Sequence, residues 1–350
     1  MSDSDGRTPL LVLFGGQSAE HDVSCVTAKH VLDAIRRDRY DITPVGITRD
    51  GEWSVCAWSS DLEHMDPHGD PVDPFRLIRS AATAGGVVLP LLHGPFGEDG
   101  TVQGLCELAG VAYAGAGVLG SALAMDKIAA KNALAAAGIP QARWVGMNAD
   151  EVTSNTPASL IERLGSPIFI KPANMGSSVG VSRASTVEEA RSALEMAASY
   201  DEWIVVEEAI NGREIEMSVL GNRTPRTSLP GEIVAGAEFY TYEDKYHDGV
   251  AKLLIPAPLD EHEIAAMSAM AVDAYRALRV EGLARADFFY DPEGLGWLVN
   301  ELNTMPGFTP ISMYPKMWHA SGLEYPDLID ELIDLAIERH RRRERHTSTS

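Results

Sequence analysis

The first sharply apolar segment is residues 10–14 (LLVLF), which ends in Gly15-Gly16 and is followed by apolar periodicity from about 23 to 35. A strand, a glycine turn and a helix in that order open an α/β unit. Residues 42–48 read as the next strand, 53–58 as an exposed hairpin, and 87–92 (VVLPLL) as a buried strand in spite of Pro90. The loop HGPFGEDG (93–100) leads into a helix over 101–109. Residues 1–120 thus predict a small doubly wound domain, with ligand-binding loops at the carboxyl ends of its strands.

Residues 125–137 form an Ala-rich helix stopped by Gly138 and Pro140. A strand at 168–171 runs into the small-residue loop PANMGSSVG (172–180), and Thr186 with Glu189 caps a helix over 186–200. Strands at 203–208 and 213–220 flank the turn Ile210-Asn211-Gly212. Residues 121–211 therefore read as a second, α+β unit, and 212–350 as a third. In that last unit a strand near 232–239 precedes YTYEDKYHDGVAK (240–252), which lacks apolar periodicity and is expected to be a mobile loop. A helix at 260–278, strands at 283–290 and 297–302 and a helix at 325–339 follow. The end, HRRRERHTSTS, reads as a frayed helix and solvated tail.

Composition narrows the function. The 350 residues carry 29 Lys+Arg against 51 Asp+Glu, a formal net charge of −22. Surfaces that hold nucleic acid have excess cations, so that class is excluded, and an anionic substrate must be met by local cations or metal ions. Lysines are scarce, at positions 29, 127, 131, 171, 245, 252 and 316. Cys25, Cys56 and Cys106 have no metal-type spacing and read as reduced thiols. No window approaches 18 apolar residues, so no membrane span is expected, and the chain is expected to be cytoplasmic.

Four constellations could carry chemistry. If 283–290 and 297–302 pair as a hairpin about Gly294, Asp287 lies nearly opposite Glu301, and Asn303 shares the face of Glu301. Two carboxylates and a carboxamide form an all-oxygen set suited to Mg²⁺ or Mn²⁺, with Arg285 on the same face. Lys171 ends an apolar strand ahead of Gly176-Ser177-Ser178-Val179-Gly180, whose amides and hydroxyls could close over phosphates. GSSVG also fits the nucleophile elbow of hydrolases, but no helical pattern begins directly after Ser178. Gly15-Gly16 lacks the spacing of a dinucleotide site, while Glu20 beyond it could grip an ammonium. Glu207, Glu208 and Glu214 flank a turn where acceptors could meet a nucleobase amine and ribose hydroxyls.

The segments FGGQSAEHDVS (14–24), HGPFGEDGTVQG (93–104), AMDK (124–127), KPANMGSSVGVS (171–182), YEDKYHDG (242–249), RADFFYD (285–291) and ELNTMPGFTPISMYP (301–315) stand in the order of one family. The chain resembles the D-alanine–D-alanine ligases of the ATP-grasp superfamily over nearly its whole length. The resemblance implies an N-terminal substrate domain, a central lid and a C-terminal catalytic domain. It implies that Lys127, Lys171 and Lys245 hold ATP, that Glu207 with the backbone of Glu208 and Ile210 reads adenine, and that Glu214 reads the ribose. Asp287, Glu301 and Asn303 would bind two Mg²⁺ (or Mn²⁺) ions. Glu20 would hold the ammonium of the first D-alanine near His93, while Ser177 and Tyr246 hold the 240–252 loop shut. Arg285 and the amide of Gly307 would stabilise the oxyanion, and Ser312 with the amide of Met313 would hold the second carboxylate. Tyr246 after Lys245 marks a maker of dipeptide rather than ester, and the family implies a homodimer.

Overall fold

The computed structural model describes residues 6–234 and 252–343. Its first sheet contains β1 (Thr8–Gly15), β2 (Tyr40–Ile47), β3 (Trp53–Val55), β4 (Asp70–Pro71), β5 (Val87–Pro90) and β6 (Ala112–Tyr113), in the order β4-β3-β2-β1-β5-β6. β2, β1, β5 and β6 are parallel, and β3 and β4 add an antiparallel edge. Helix α1 (His21–Ala34) covers one face, while α2 (Pro74–Thr83) and α3 (Thr101–Ala109) cover the other. The expected hairpin near 53–58 is realised as β3 pairing β2 and β4. Helix α2 escaped the hydrophobic pattern, although Asp73 caps it by accepting from the Arg76 amide (2.7 Å) and Pro74 occupies its first turn.

Helices α4 (Val118–Met125) and α5 (Lys127–Ala136) follow, separated by Asp126, whose carboxylate caps α5 by accepting from the Ala129 amide at 2.8 Å. The second sheet is antiparallel in the order β7-β10-β8-β9, from β7 (Trp144–Asn148), β8 (Ile168–Pro172), β9 (Ser182–Ala184) and β10 (Trp203–Glu208). Ile168, Ile170, Ile204 and Val206 pack beneath α6 (Thr156–Leu164) and α7 (Val187–Ala198). Strand alternation therefore turns Lys171 and Glu207 to the opposite face. No helix follows Ser178 before α7, so the elbow geometry is absent.

The third sheet has the order β14-β13-β11-β15-β16, with β12 paired to β11. Its strands are β11 (Arg213–Gly221), β12 (Arg226–Thr227), β13 (Gly231–Val234), β14 (Lys252–Leu254), β15 (Gly282–Asp291) and β16 (Gly296–Asn303). Ile215, Met217, Ala284, Ala286, Phe288, Trp297, Val299 and Leu302 share a core with α8 (Glu261–Ala277) and with Ala124, Ala130 and Leu134 of α4 and α5. The chain closes through α9 (Met313–Ala320) and α10 (Tyr325–Arg343). α10 returns to the first domain, burying Leu328, Ile329, Leu332 and Ile333 in one core with Leu10, Val12 and Phe14. At about 1.5–3 kcal/mol per buried large aliphatic side chain, that stripe is enough to hold the two ends of the chain together. Lys245 and Tyr246 lie outside the described residues.

Candidate active site

β1 lies between β2 and β5, so the parallel strands run outward in both directions from it. Loops leaving the carboxyl ends of strands at such a switch point diverge and open a crevice. Here these are the loops that carry Glu20 and His93. Glu20 sits at the start of α1, and its carboxylate accepts from the Ser177 hydroxyl in the loop after β8. A Cβ on Gly94 would lie 3.1 Å from Glu20 Oε2, and one on Gly176 3.0 Å. Both glycines thus let backbone close around this carboxylate. Ser177 and Ser178 have φ of 49° and 60°, the left-handed region that non-glycine residues adopt only under local constraint.

His93 is buried beside the same carboxylate. Its Nδ1 lies 3.1 Å from the Met305 carbonyl and 3.7 Å from Glu98 Oε1. Its Nε2 is buried with no hydrogen-bond partner among the described residues. Burial disfavours the imidazolium, but Glu98 and Glu20 outweigh it and raise its pKa. Burial likewise raises the Glu98 carboxyl, with Glu20 adding to the rise and His93 opposing it. Nothing in the 93–100 loop sets Glu98 apart from an ordinary loop acid; only its approach to His93 in the fold does.

Lys127 begins α5. Its amide donates to the Ala173 carbonyl (3.1 Å) and its ammonium to the Met175 carbonyl (2.6 Å), tying the helix to the 172–180 loop. Burial lowers its pKa. Lys171 and Lys131 both pair with Glu207, one on each carboxylate oxygen. Burial would raise the Glu207 carboxyl, but Lys171 and Lys131 bring it down to about 2. Burial would lower the Lys171 ammonium, but Glu207 and Glu301 raise it. Lys131 was not expected here; its signal was its position four residues after Lys127, which sets both on one helix face. Glu208 points the other way and holds Arg143 through Nε (2.6 Å) and the backbone amide (2.7 Å). Ile210 is half-buried beyond the end of β10, and Glu214 is the second residue of β11, opposite Phe289.

On the third sheet Asp287 pairs with Glu301 and Arg285 with Asn303, as the hairpin predicted. A β-bulge then sets Phe288 opposite Val299 and leaves Asn300 as the extra residue. The bulge changes the phase of β16, so that Trp297, Val299 and Leu302 all reach the core while Glu301 and Asn303 remain on the cleft face. Glu216 on β11 pairs with Asp287 across the other ladder, a third carboxylate that strand alternation from Glu214 could have indicated. Arg285 forks onto Asp287 through Nε and Nη2, both 2.7 Å, and its Nε lies 3.2 Å from Glu216. Burial disfavours the guanidinium, but Asp287 and Glu216 raise its pKa well above the ordinary value. Asn303 Nδ2 donates to Asp287 at 2.9 Å.

No three His, Cys, Asp or Glu side chains among the described residues converge as a metal cluster. Asp287, Glu301 and Asn303 nevertheless supply a hard, all-oxygen donor set, which fits Mg²⁺ or Mn²⁺ chemically. Ser312 precedes α9, and its Oγ accepts from the Thr309 amide at 3.2 Å. A Cβ on Gly307 would lie 3.1 Å from Ser312 Oγ, so this loop also packs tightly. The Met313 amide is in the first turn of α9, where helical N–H groups lack intrahelical acceptors.

A family model described as D-ala D-ala ligase N-terminus matches residues 9–116, and one described as D-ala D-ala ligase C-terminus matches 133–334. A D-alanine--D-alanine ligase of Bacillus pumilus is 44% identical over 97% of this chain and 98% of its own length. One of Clostridium acetobutylicum is 44% identical over 95% of this chain and 99% of its own. The solved D-alanine-D-alanine ligase from Coxiella burnetii is 34% identical, with a TM-score of 0.80 and 96% of each chain covered. The VanG D-Ala:D-Ser ligase from Enterococcus faecalis is 35% identical at the same TM-score, covering 94% of this chain and 99% of that one. With both halves matched and relatives alike from end to end, this chain belongs to the D-alanine–D-alanine ligase family.

Proposed function

We propose that this chain joins two D-alanine molecules into D-alanyl-D-alanine, consuming ATP and releasing ADP and phosphate, for peptidoglycan synthesis. The observation that carries this reading is that Lys127 at the start of α5 and Lys171 on the second sheet lie within electrostatic reach of Glu301 on the third. The Glu301 charge bears on the ammonium groups of both Lys127 and Lys171.

A carboxylate resists attack by an amine because its oxygen is a poor leaving group. A carboxylate oxygen of the first D-alanine attacks the γ-phosphorus, ADP leaves, and an acyl phosphate remains. The amine of the second D-alanine then attacks the carbonyl carbon, and the C–O bond to phosphate breaks. Glu20 holds the first ammonium beside His93 and is itself fixed by Ser177. Lys127, Lys171 and Lys245 neutralise the nucleotide phosphates, while Glu207, the backbone at Glu208 and Ile210, and Glu214 take the nucleoside. Arg285 and the Gly307 amide face the charge that develops on the carbonyl oxygen, and Ser312 with the Met313 amide takes the second carboxylate. Asp287, Glu301 and Asn303 would hold two Mg²⁺ ions, which when bound neutralise charge on the transferring phosphoryl group. Tyr246, which lies outside the described residues, carries the role the family resemblance implies for it, excluding water that would hydrolyse the acyl phosphate. A substrate domain over 1–120, a lid over 121–211 and a catalytic domain over 212–350 is the division this reading takes, supported by the succession of three sheets along the chain. Three buried free thiols fit a reducing cytoplasm, and no helix of the described residues is long and apolar enough to cross a membrane. The family supports a homodimer.

The test incubates the chain with ATP, Mg²⁺ and D-alanine, with D-serine or D-lactate added in parallel. D-alanyl-D-alanine with stoichiometric ADP and phosphate is expected from D-alanine alone. Product only when D-serine or D-lactate is present would reject the substrate assignment. Glu301→Gln should lower turnover by about 100-fold or more with the melting temperature nearly unchanged, whereas Asp287→Asn should lower turnover as much and also lower the melting temperature, because it takes a charge from the buried Arg285 pair.

A further inference from the structure

Lys131 stands deeper than any group assigned to the nucleotide. Its side chain is 3% exposed, against 6% for Glu207 and 13% for Lys171. It projects from α5, whose backbone at that point is anchored by the Gln141 side-chain amide donating to the Lys131 carbonyl at 3.0 Å. Lys131 takes Oε1 of Glu207 and Lys171 takes Oε2, so each cation can leave without displacing the other.

This matters because a buried carboxylate is strongly destabilised without a counterion. If Lys171 were the sole partner of Glu207, any movement of its ammonium toward a phosphate would strand that carboxylate, and nucleotide binding would be opposed by that penalty. A second lysine removes the conflict. The two differ in the required sense, since Lys171 is the more exposed and also feels Glu301, whereas Lys131 on α5 is almost fully buried.

We propose that Lys131 is the permanent counterion of Glu207, a positioning residue that keeps this carboxylate ionised and fixed while Lys171 exchanges it for nucleotide phosphate. The proposal rests on the nucleotide site given above.

Calorimetric titration with ATP and Mg²⁺, without D-alanine, tests it on the full chain and on Lys131→Met, Lys131→Arg, Glu207→Gln, Lys171→Met and the double variant Lys131→Met/Glu207→Gln. Lys131→Met should raise the ATP Kd roughly tenfold or more and raise KM for ATP with KM for D-alanine unchanged, and Lys131→Arg should recover most of the loss. In the Glu207→Gln background, Lys131→Met should have no further effect on the Kd. A folded Lys131→Met variant that binds ATP like the parent, while Lys171→Met binds weakly, overturns the role of Lys131 alone. Unchanged binding in both Lys171→Met and Glu207→Gln overturns the nucleotide site and the proposal with it. If Lys131→Met does not fold, the double variant decides. Folding with the ATP affinity of Glu207→Gln supports the coupling, and failure to fold or weaker binding rejects it.

Discussion

Burial determines what each charged residue of this cleft can do. Glu207 is ionised because two lysines overcome its desolvation, and Arg285 is tolerated because Asp287 and Glu216 face it. The Glu207 carboxyl lies below its ordinary value in the folded chain, so the unfolded chain binds its proton first on acidification. The stability it contributes is complete above pH 4.5 and falls as pH drops from there toward about 2. Urea unfolding should therefore show the parent more stable than Glu207→Gln at pH 7, with the difference shrinking by about 1 kcal/mol between pH 5.5 and 3.5. A difference that stays constant over that interval would contradict the pairing. Much at this scale was legible: scarce lysines at element ends and acids on alternating strand positions mark themselves. Glu98 was not, because it reads as an ordinary loop acid, and Lys131 showed only its place one turn after Lys127. Only the tertiary contacts with Glu207 and His93 distinguish them.

Among elements, the β15–β16 hairpin gives the clearest case of sequence pattern yielding chemistry. The facing of Asp287 and Glu301 followed from turn position and period alone. The bulge at Asn300 did not, although Trp297, Val299 and Leu302 break strict alternation and could have revealed it. Deleting Asn300 restores regular pairing and sends either Leu302 or the Glu301–Asn303 pair to the wrong face. The expected outcome is a loss of turnover of at least about 100-fold together with lower stability, read from initial rates and a thermal melt. Retention of both would mean that the bulge does not set this face. Elements that escaped the pattern are short or contain proline. α2 and α6 each start at a proline turn, β7 is a five-residue strand interrupted by Gly146, and α9 carries Pro315 in its first turn. Such segments are stabilised by docking more than by their own periodicity.

For the whole molecule, three sheets follow one another along the chain, and that succession was visible in the alternation of strand and helix patterns. The return of α10 to the first domain was not, since its partners lie about three hundred positions earlier in sequence and only packing brings them together. Arg339 shows how closely it docks, donating to the Tyr113 carbonyl at 2.6 Å and also to Gly115, with its guanidinium over the Tyr113 ring. Arg36 and Arg39 add contacts to Asp327 and Asp330 of the same helix. Through α10 the first sheet and the third, at Leu220 and Leu283, thus share one core. The formal charge of −22 would repel a nucleotide, yet the buried acids are paired with buried cations, and with Lys131 held on Glu207 it is Lys171 that exchanges carboxylate for phosphate. In the proposed reaction these groups phosphorylate a carboxylate and then let an amine displace the phosphate. Its most direct test uses D-alanine labelled with ¹⁸O in the carboxylate, followed by mass spectrometry of the phosphate. One ¹⁸O should pass into inorganic phosphate for each D-alanyl-D-alanine formed. Dipeptide formed with the label appearing in AMP, or with none in phosphate, would contradict the account.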